Sequence, residues 1–331
     1  MRKAPDSCDS PAPVQRGPPA FREQGVPRAR IGARGAHPAQ AVSARVPEHP
    51  DNGTRPARRR SPDRIHSRVE VPLTDQDAYW SAYAYQAVAG KLAGISLRLV
   101  QEADIKSDHR VLDVACATGN AALYAARRSA AVFGLDSDPV MIEAARKRRD
   151  DLRMSVDFRM GDAAKMPFAD ASFDRVLSTY GSMFAPDAEA AAREMLRVCR
   201  PTGAILMANW NPGSVITAMF RTLHDLHPVA ESIEDIARRW GTAHGLRELF
   251  GPAPAIHSNI SHHHVPATAA ELASVFADHF GPALCVVERL GEPAREQIRE
   301  KLTSLFAGHA GEGPEGPWVC VDYLYARITR Q

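Results

Sequence analysis

Apolar positions along this chain follow two alternating rhythms. Short runs of Val, Leu, Ile, Ala and Phe with the character of buried strands cover Arg110–Val114, Ala131–Leu135, Val156–Met160, Phe173–Ser178 and Ala204–Trp210. Between them lie stretches whose apolar residues recur at helical spacing, namely Asn120–Arg128, Pro139–Arg149 and Ala188–Val198, preceded by an Ala- and Leu-rich run over Ala78–Ala103. Pro139 stands in the first turn of its segment, where a missing N–H costs nothing and a fixed φ already suits a helix. Strands alternating with helices at this interval predict an α/β fold, a doubly wound parallel sheet covered on both faces. Beyond residue 212 the rhythm is less regular. Val215–Leu226, Ser232–Phe250, Thr268–Phe280 and Pro293–Ala307 read as helices, and Ala255–His264 and Trp318–Ile328 as strands. The last strands are expected to complete the same sheet, and the intervening helices to form a lid or substrate wall, because no Pro/Gly/Ser linker divides the region.

Composition changes the picture at one end. Residues 1–70 hold fourteen Lys and Arg against seven acidic residues, eleven prolines and a single aromatic, Phe21. Such a segment buries too little apolar surface to offset the entropy of ordering, and is expected to be a disordered basic tail. The remainder, with 27 basic and 32 acidic residues, carries a net charge of −5. The folded region is therefore placed at 75–331, long enough for one sizeable core. No run of about 20 apolar residues suggests a membrane span, and no secretory signal pattern is visible. The five cysteines (Cys8, Cys116, Cys199, Cys285, Cys320) are scattered and lack C-x-x-C pairing, which points to a reducing, cytoplasmic compartment rather than a disulfide framework or zinc site.

Chemistry concentrates in Arg110-Val-Leu-Asp-Val-Ala-Cys-Ala-Thr-Gly119, where a hydrophobic strand stops at a run of tiny residues and a helix starts at once. In doubly wound sheets ligands sit beyond the carboxyl ends of the strands, and small residues there let a nucleotide approach the backbone and the free N–H groups of the helix. The small positions are Ala115, Ala117 and Gly119, and Asn120 stands where a dinucleotide fingerprint wants its third glycine, so an NAD-dependent oxidoreductase fits poorly. Asp113, two residues before the turn, suits a ligand with a positive amino group.

Over Val111–Trp210 the sequence resembles the class I S-adenosylmethionine-dependent methyltransferases. The resemblance rests on five ordered signposts: Val111-Leu-Asp-Val-Ala-Cys-Ala-Thr-Gly119, Gly134-Leu-Asp136, Gly161-Asp162-Ala163, Phe173-Asp-Arg-Val-Leu-Ser178, and Leu196-Arg-Val-Cys-Arg-Pro-Thr-Gly203. Alanines replace the family's usual glycines at 115 and 117. The resemblance implies S-adenosyl-L-methionine as cofactor, with residues 75–212 as the cofactor-binding core and 213–331 as lid and final strands. Asp136, 17 residues after Gly119, can accept from both ribose hydroxyls. By the resemblance, Asp162 accepts from the adenine amino group with the Ala163 N–H facing a ring nitrogen, Asp113 meets the methionine amino group, and Met141 covers the adenine. Ala115, Cys116, Ala117 and Gly119 in the turn, together with Ser137, Ser178 and Tyr83, complete the expected cofactor shell. Each acid also has a plainer use: Asp113 in a strand-end salt bridge, Asp162 as a loop cap, Asp136 as a helix cap.

Substrate residues are expected after the fourth strand and in the lid. Ser178-Thr-Tyr-Gly-Ser-Met-Phe184 lacks the Asn/Asp-Pro-Pro-aromatic motif of nucleic-acid amino methyltransferases, Asn211-Pro212-Gly213 follows the fifth strand instead, and no acid-acid-Asn pattern of magnesium-dependent enzymes appears. Tyr180, Met183 and Phe184 form an apolar, aromatic wall, and Trp80, Tyr83 and Tyr85 are placed to close over the cofactor. These features predict methyl transfer to oxygen, nitrogen or carbon of a small organic acceptor, with no nucleic-acid signature in the folded part. RNA or protein methylation using the basic tail, and a non-catalytic cofactor-binding subunit, are the alternatives. Tyr180, His244 and His262 are the candidates for a catalytic acid or base. His262 and His264 share one face of the predicted sixth strand, with His263 on the other. That segment holds no Cys, Asp or Glu, so no metal site is expected there.

Overall fold

The computed structural model describes residues 85–129, 131–227 and 233–330. The basic tail and the aromatic pair Trp80 and Tyr83 lie outside the described residues. Two helices, α1 (Tyr85–Lys91) and α2 (Ala93–Glu102), lead into the alternating region. There follow β1 (Arg110–Val114), α3 (Asn120–Ala125), β2 (Ala131–Asp136), α4 (Pro139–Asp151), β3 (Asp157–Met160), β4 (Phe173–Thr179), α5 (Ala188–Val198) and β5 (Cys199–Asn209). The remainder comprises α6 (Val215–Leu226), α7 (Ile233–Trp240), α8 (Ala243–Phe250), β6 (Ala255–Pro266), α9 (Ala269–His279), α10 (Gly281–Leu290), α11 (Glu292–Ala307), β7 (Ala310–Gly313) and β8 (Gly316–Thr329).

The eight strands among the described residues form one sheet in the order β3-β2-β1-β4-β5-β8-β6, with β7 paired to β8. The first five strands run parallel, whereas β8 runs antiparallel to β5, β6 and β7. Strand order reverses between β1 and β4, and the two carboxyl ends part there, which opens the crevice expected of a doubly wound sheet. β1, β4 and β5 are buried nearly throughout, as strands covered on both faces must be.

The later half departs from the simple pattern in two places, each for a local reason. The helical run ending at Phe250 breaks at Gly241, which nestles so closely on the backbone beside Trp210 that an added Cβ would lie 2.0 Å from the Trp210 carbonyl oxygen. An additional helix, α10, starts across Gly281-Pro282, a pair that resembles a breaker but places proline in the first turn, where it is tolerated. Thr268 and Glu271 form a reciprocal capping box at the start of α9. Among the described residues no single helix is long and apolar enough to cross a membrane.

Three contacts hold the first turn of the sheet in place. Phe158 of β3, 2% exposed, packs against both Gly119 and Gly134. The Arg148 guanidinium on α4 donates to the Thr118 carbonyl oxygen at 2.5 Å and to Asn120 Oδ1 at 2.9 Å. Asn120 Nδ2 in turn donates to the Ala89 carbonyl oxygen of α1 at 2.9 Å. A Cβ at Gly134 would stand 2.5 Å from Phe158 Cδ1 and 3.0 Å from Cys116 Sγ, with no room to yield. Gly134→Ala is expected to lower unfolding free energy in urea by about 1–3 kcal/mol, the range for overpacking a filled core.

Candidate cofactor and acceptor cleft

The backbone between β1 and α3 takes a conformation usually reserved for glycine. Ala115, Ala117 and Gly119 have φ of +53°, +45° and +84°. For an L-residue the left-handed region costs roughly 1–2 kcal/mol, so both alanines are held there by their surroundings. The Cys116 N–H donates to the Leu135 carbonyl oxygen at 2.9 Å, and the Ala117 N–H donates to Asp136 Oδ2 at 2.7 Å. Gly181 approaches so closely that a Cβ there would lie 2.4 Å from the Ala115 carbonyl oxygen. Gly119 ends the turn as the left-handed N-cap of α3, and packs on Phe158 rather than lining the cleft.

Above this turn opens a cavity of about 170 Å³. One wall comes from the turn (Ala115, Ala117), one from the end of β2 and start of α4 (Leu135 to Asp138, Met141), one from the loop after β3 (Gly161 to Ala163), and one from the end of β4 onward (Thr179 to Gly181, Phe184 to Pro186), with Tyr85 of α1 closing it. Thr179, Gly181, Ala185 and Pro186 were not singled out in the sequence, since only the fold of the chain after β4 turns them inward.

A smaller cavity of about 40 Å³ lies beneath the turn, and Asp113 and Cys116 line this one rather than the main cleft. Asp113 is buried, and its Oδ2 accepts from the Ala122 N–H in the first turn of α3 at 2.9 Å. It therefore caps a helix backbone rather than forming the strand-end salt bridge. Burial pushes the Asp113 carboxyl up to about 7, against the opposing pull of that hydrogen bond.

Asp136 sits at the tip of β2 and faces the main cleft. Besides Ala117, it accepts from the Asp138 N–H through Oδ1 at 3.0 Å. Burial raises it to about 6, with the neighbouring N–H groups pulling the other way. Asp138 caps α4, accepting from Val140 and Met141, which leaves Asp136 free of that duty. Asp162 lines the cleft but also caps its own loop, Oδ1 accepting from the Ala164 N–H at 2.8 Å. Tyr85 is half-buried beside Asp136, and desolvation first and that carboxylate second push its hydroxyl up to about 12.

Tyr180 is the most constrained residue of the far wall. Its φ is +66°, its N–H donates to the Ala208 carbonyl oxygen at 2.8 Å, and its ring stacks on Trp210 at 3.7 Å and 9°. Burial holds its hydroxyl well above the usual phenol range. The Tyr180 hydroxyl and the Thr179 Oγ1 are buried at the cleft with no hydrogen-bond partner among the described residues.

Other sequence candidates stand away from the cleft. Ser178 is fully buried, donating to the Val114 carbonyl oxygen at 3.1 Å and bonding Ser182 Oγ at 2.9 Å, so it ties β4 to β1. Met183 is core, 1% exposed. His244 is exposed on α8 beside Glu248, and His262 lies on β6 against Asp322. Neither histidine lines the cavity.

Two measurements follow from this geometry. Ala115→Gly and Ala117→Gly are each expected to raise unfolding free energy by about 0.5–1 kcal/mol, because relief of left-handed strain exceeds the added unfolded-state entropy. For Asp113 the folded-state pKa exceeds the unfolded one, so the folded chain binds the proton more tightly. That stabilisation is present at acid pH and is lost as pH rises from about 4 through about 7. Asp113→Asn, which keeps an acceptor for Ala122, is expected to lose this component and to exceed the wild type at pH 8 by on the order of 1–3 kcal/mol in denaturant titrations.

Comparison with known proteins supplies the family. A methyltransferase-domain profile matches residues 112–207. The chain is 32% identical over 258 residues to the uncharacterized protein Rv1405c of Mycobacterium tuberculosis, a match spanning 71% of this chain and 88% of that one. It is 36% identical over 124 residues to a demethylmenaquinone methyltransferase of Deinococcus radiodurans, covering 36% of this chain and 52% of the relative. In fold it is similar to the crystal structure of the YcgJ protein from Bacillus, with a TM-score of 0.50 and 20% identity over 72% of this chain and 99% of that one. With its sheet order, its turn after β1 and these relatives together, the chain belongs to the class I S-adenosylmethionine-dependent methyltransferases.

Proposed function

We propose that the main cleft holds S-adenosylmethionine between the turn after β1 and the loop after β3, and that the enzyme methylates a small organic acceptor seated against Tyr180 and Phe184. The observation that carries the acceptor class is the far wall. It is apolar and aromatic, and among the described residues Thr179 Oγ1 and Tyr180 OH are buried there without a hydrogen-bond partner. A buried polar atom without a partner costs about 1–3 kcal/mol, a cost that an acceptor oxygen or nitrogen relieves once a small shift of either side chain turns its hydroxyl to the cleft. The one relative above whose name states an acceptor, demethylmenaquinone, acts on a small molecule, which favours the same class.

The residues present fit the cofactor. Asp136 accepts two N–H bonds and keeps lone pairs for ribose hydroxyls. Leu135 and Met141 offer apolar surface for a base, beside the carboxylate of Asp162. The cofactor supplies an activated methyl on a sulfonium, so the protein has no leaving group to create. What the chain contributes is position, holding the acceptor in line within about 3 Å of the methyl. Among the described residues no histidine lines the cleft, and the Tyr180 hydroxyl is held protonated. Tyr180 therefore acts as a hydrogen-bond donor that orients the acceptor, not as a base. The acceptor brings its own nucleophile, or loses its proton to solvent at the cleft mouth.

Titration calorimetry with S-adenosylhomocysteine is expected to show binding that Asp136→Ala weakens at least roughly tenfold, two charge-assisted bonds being lost. Wild-type affinity is expected to fall about tenfold between pH 7 and pH 5, as Asp136 takes up the proton that its folded-state value of about 6 permits. Equal affinities in the two proteins overturn the ribose assignment. Incubation with labelled cofactor and a metabolite extract should place the label in a small molecule. A chain lacking residues 1–70 should do the same, whereas label appearing only in RNA or protein overturns the acceptor class.

A further inference from the structure

The register between β6 and β8 assembles a group that the sequence keeps about 60 residues apart. His262 stands directly opposite Asp322, and His264 directly opposite Cys320. Alternation along each strand then sets His262, His264, Cys320 and Asp322 on one face of the ribbon, while Ser261, Val265, Val319, Val321 and Tyr323 are buried on the other. His262 Nδ1 lies 2.6 Å from Asp322 Oδ1, and Cys320 Sγ lies 3.7 Å from the same oxygen. The three donor atoms of His262, Cys320 and Asp322 all lie within 4.8 Å of one another. The His264 ring, stacked on Trp318 at 3.9 Å, borders the group.

We propose that His262, Cys320 and Asp322 form a binding site for a borderline divalent cation, with Zn²⁺ as the best match, on the outer face of the β6–β8 ribbon. One imidazole nitrogen, one thiolate and one carboxylate are the ligand types zinc prefers. Tetrahedral coordination at ordinary zinc bond lengths places ligand atoms about 3.3–3.7 Å apart. The Cys320–Asp322 separation already has that value, and His262 and Asp322 need part by less than about 1 Å. The exchange balances. The cation replaces the thiol proton of Cys320, which leaves to solvent, and the Nδ1 proton of a neutral His262, which moves to the exposed Nε2. Two positive charges then meet one thiolate and one carboxylate, giving a neutral site. Water, or His264 after rotation off Trp318, takes the fourth position. None of the three ligands lines the cofactor cleft, so the site is a staple on the ribbon and stands apart from the methyl-transfer reading.

Tag-free, chelator-dialysed full-length protein titrated with Zn²⁺ against a chromophoric chelator should bind one equivalent, with a dissociation constant of roughly micromolar or tighter. Co²⁺ in its place should give a thiolate-to-metal charge-transfer band. Cys320→Ser should abolish the band, and His262→Ala and Asp322→Asn should each weaken binding at least roughly tenfold. Cys285→Ser on α10 should leave both unchanged. Zn²⁺ should raise the melting temperature of the wild type and not of the three ligand variants. If Cys320→Ser fails to fold, Asp322→Asn carries the same comparison. Absence of saturable binding overturns the proposal, as does one-equivalent binding that survives undiminished in Cys320→Ser or Asp322→Asn.

Discussion

The site depends on how two carboxylates from neighbouring parallel strands meet the backbone of one turn. Asp136, at the tip of β2, accepts from the Ala117 N–H, and Asp113, inside β1, accepts from the Ala122 N–H. Between these two anchors the chain reverses from strand to helix with Ala115 and Ala117 in the left-handed region. A buried carboxylate accepting a backbone N–H is a strong, directional restraint. Here it does what glycine does elsewhere by conformational freedom, holding open a backbone shape that a methyl-bearing residue resists. The same desolvation raises both acids, so a cationic ligand at the turn would favour their ionised forms.

Rigidity around the turn has an evident source. Phe158 fills the space over Gly119 and Gly134, Arg148 grips the Thr118 carbonyl, and Asn120 reaches α1. Asn120 therefore has a structural role where a dinucleotide-binding protein would carry its third glycine. On the opposite wall the strain at Tyr180 is offset by its stack on Trp210 and by Gly181, which lets the chain press against Ala115. Strain concentrated on both sides of a cleft is what preorganised sites show.

The candidate site was legible in the sequence where its residues act through their own segment. Ala115, Ala117, Asp136, Met141, Asp162 and Ala163 reach the cleft because each sits at a strand end or in the first turn of the next helix, positions that a strand–helix alternation already locates. Ser178 near the end of β4 and Met183 after it occupy equally suggestive positions, yet Ser178 bonds to β1 and Met183 lies in the core. Which way a residue turns within a four-residue 3-10 segment, Gly181–Phe184, depends on what packs beneath it, and the sequence around it carries no such information.

By itself the amino-acid sequence determined the alternation of buried strands and amphipathic helices, the turn of tiny residues after β1, and the acids at successive strand tips. These are local properties, set by periodicity, side-chain size and capping within a few residues. Tertiary structure alone decided the antiparallel placement of β8 between β5 and β6, the place of Thr179 in the cleft wall, and the meeting of His262 with Cys320 and Asp322. Strand pairing over such distances follows from which faces can be buried together and from the register that buries them, and a one-residue slip of β8 would carry Cys320 and Asp322 to the opposite face, away from His262.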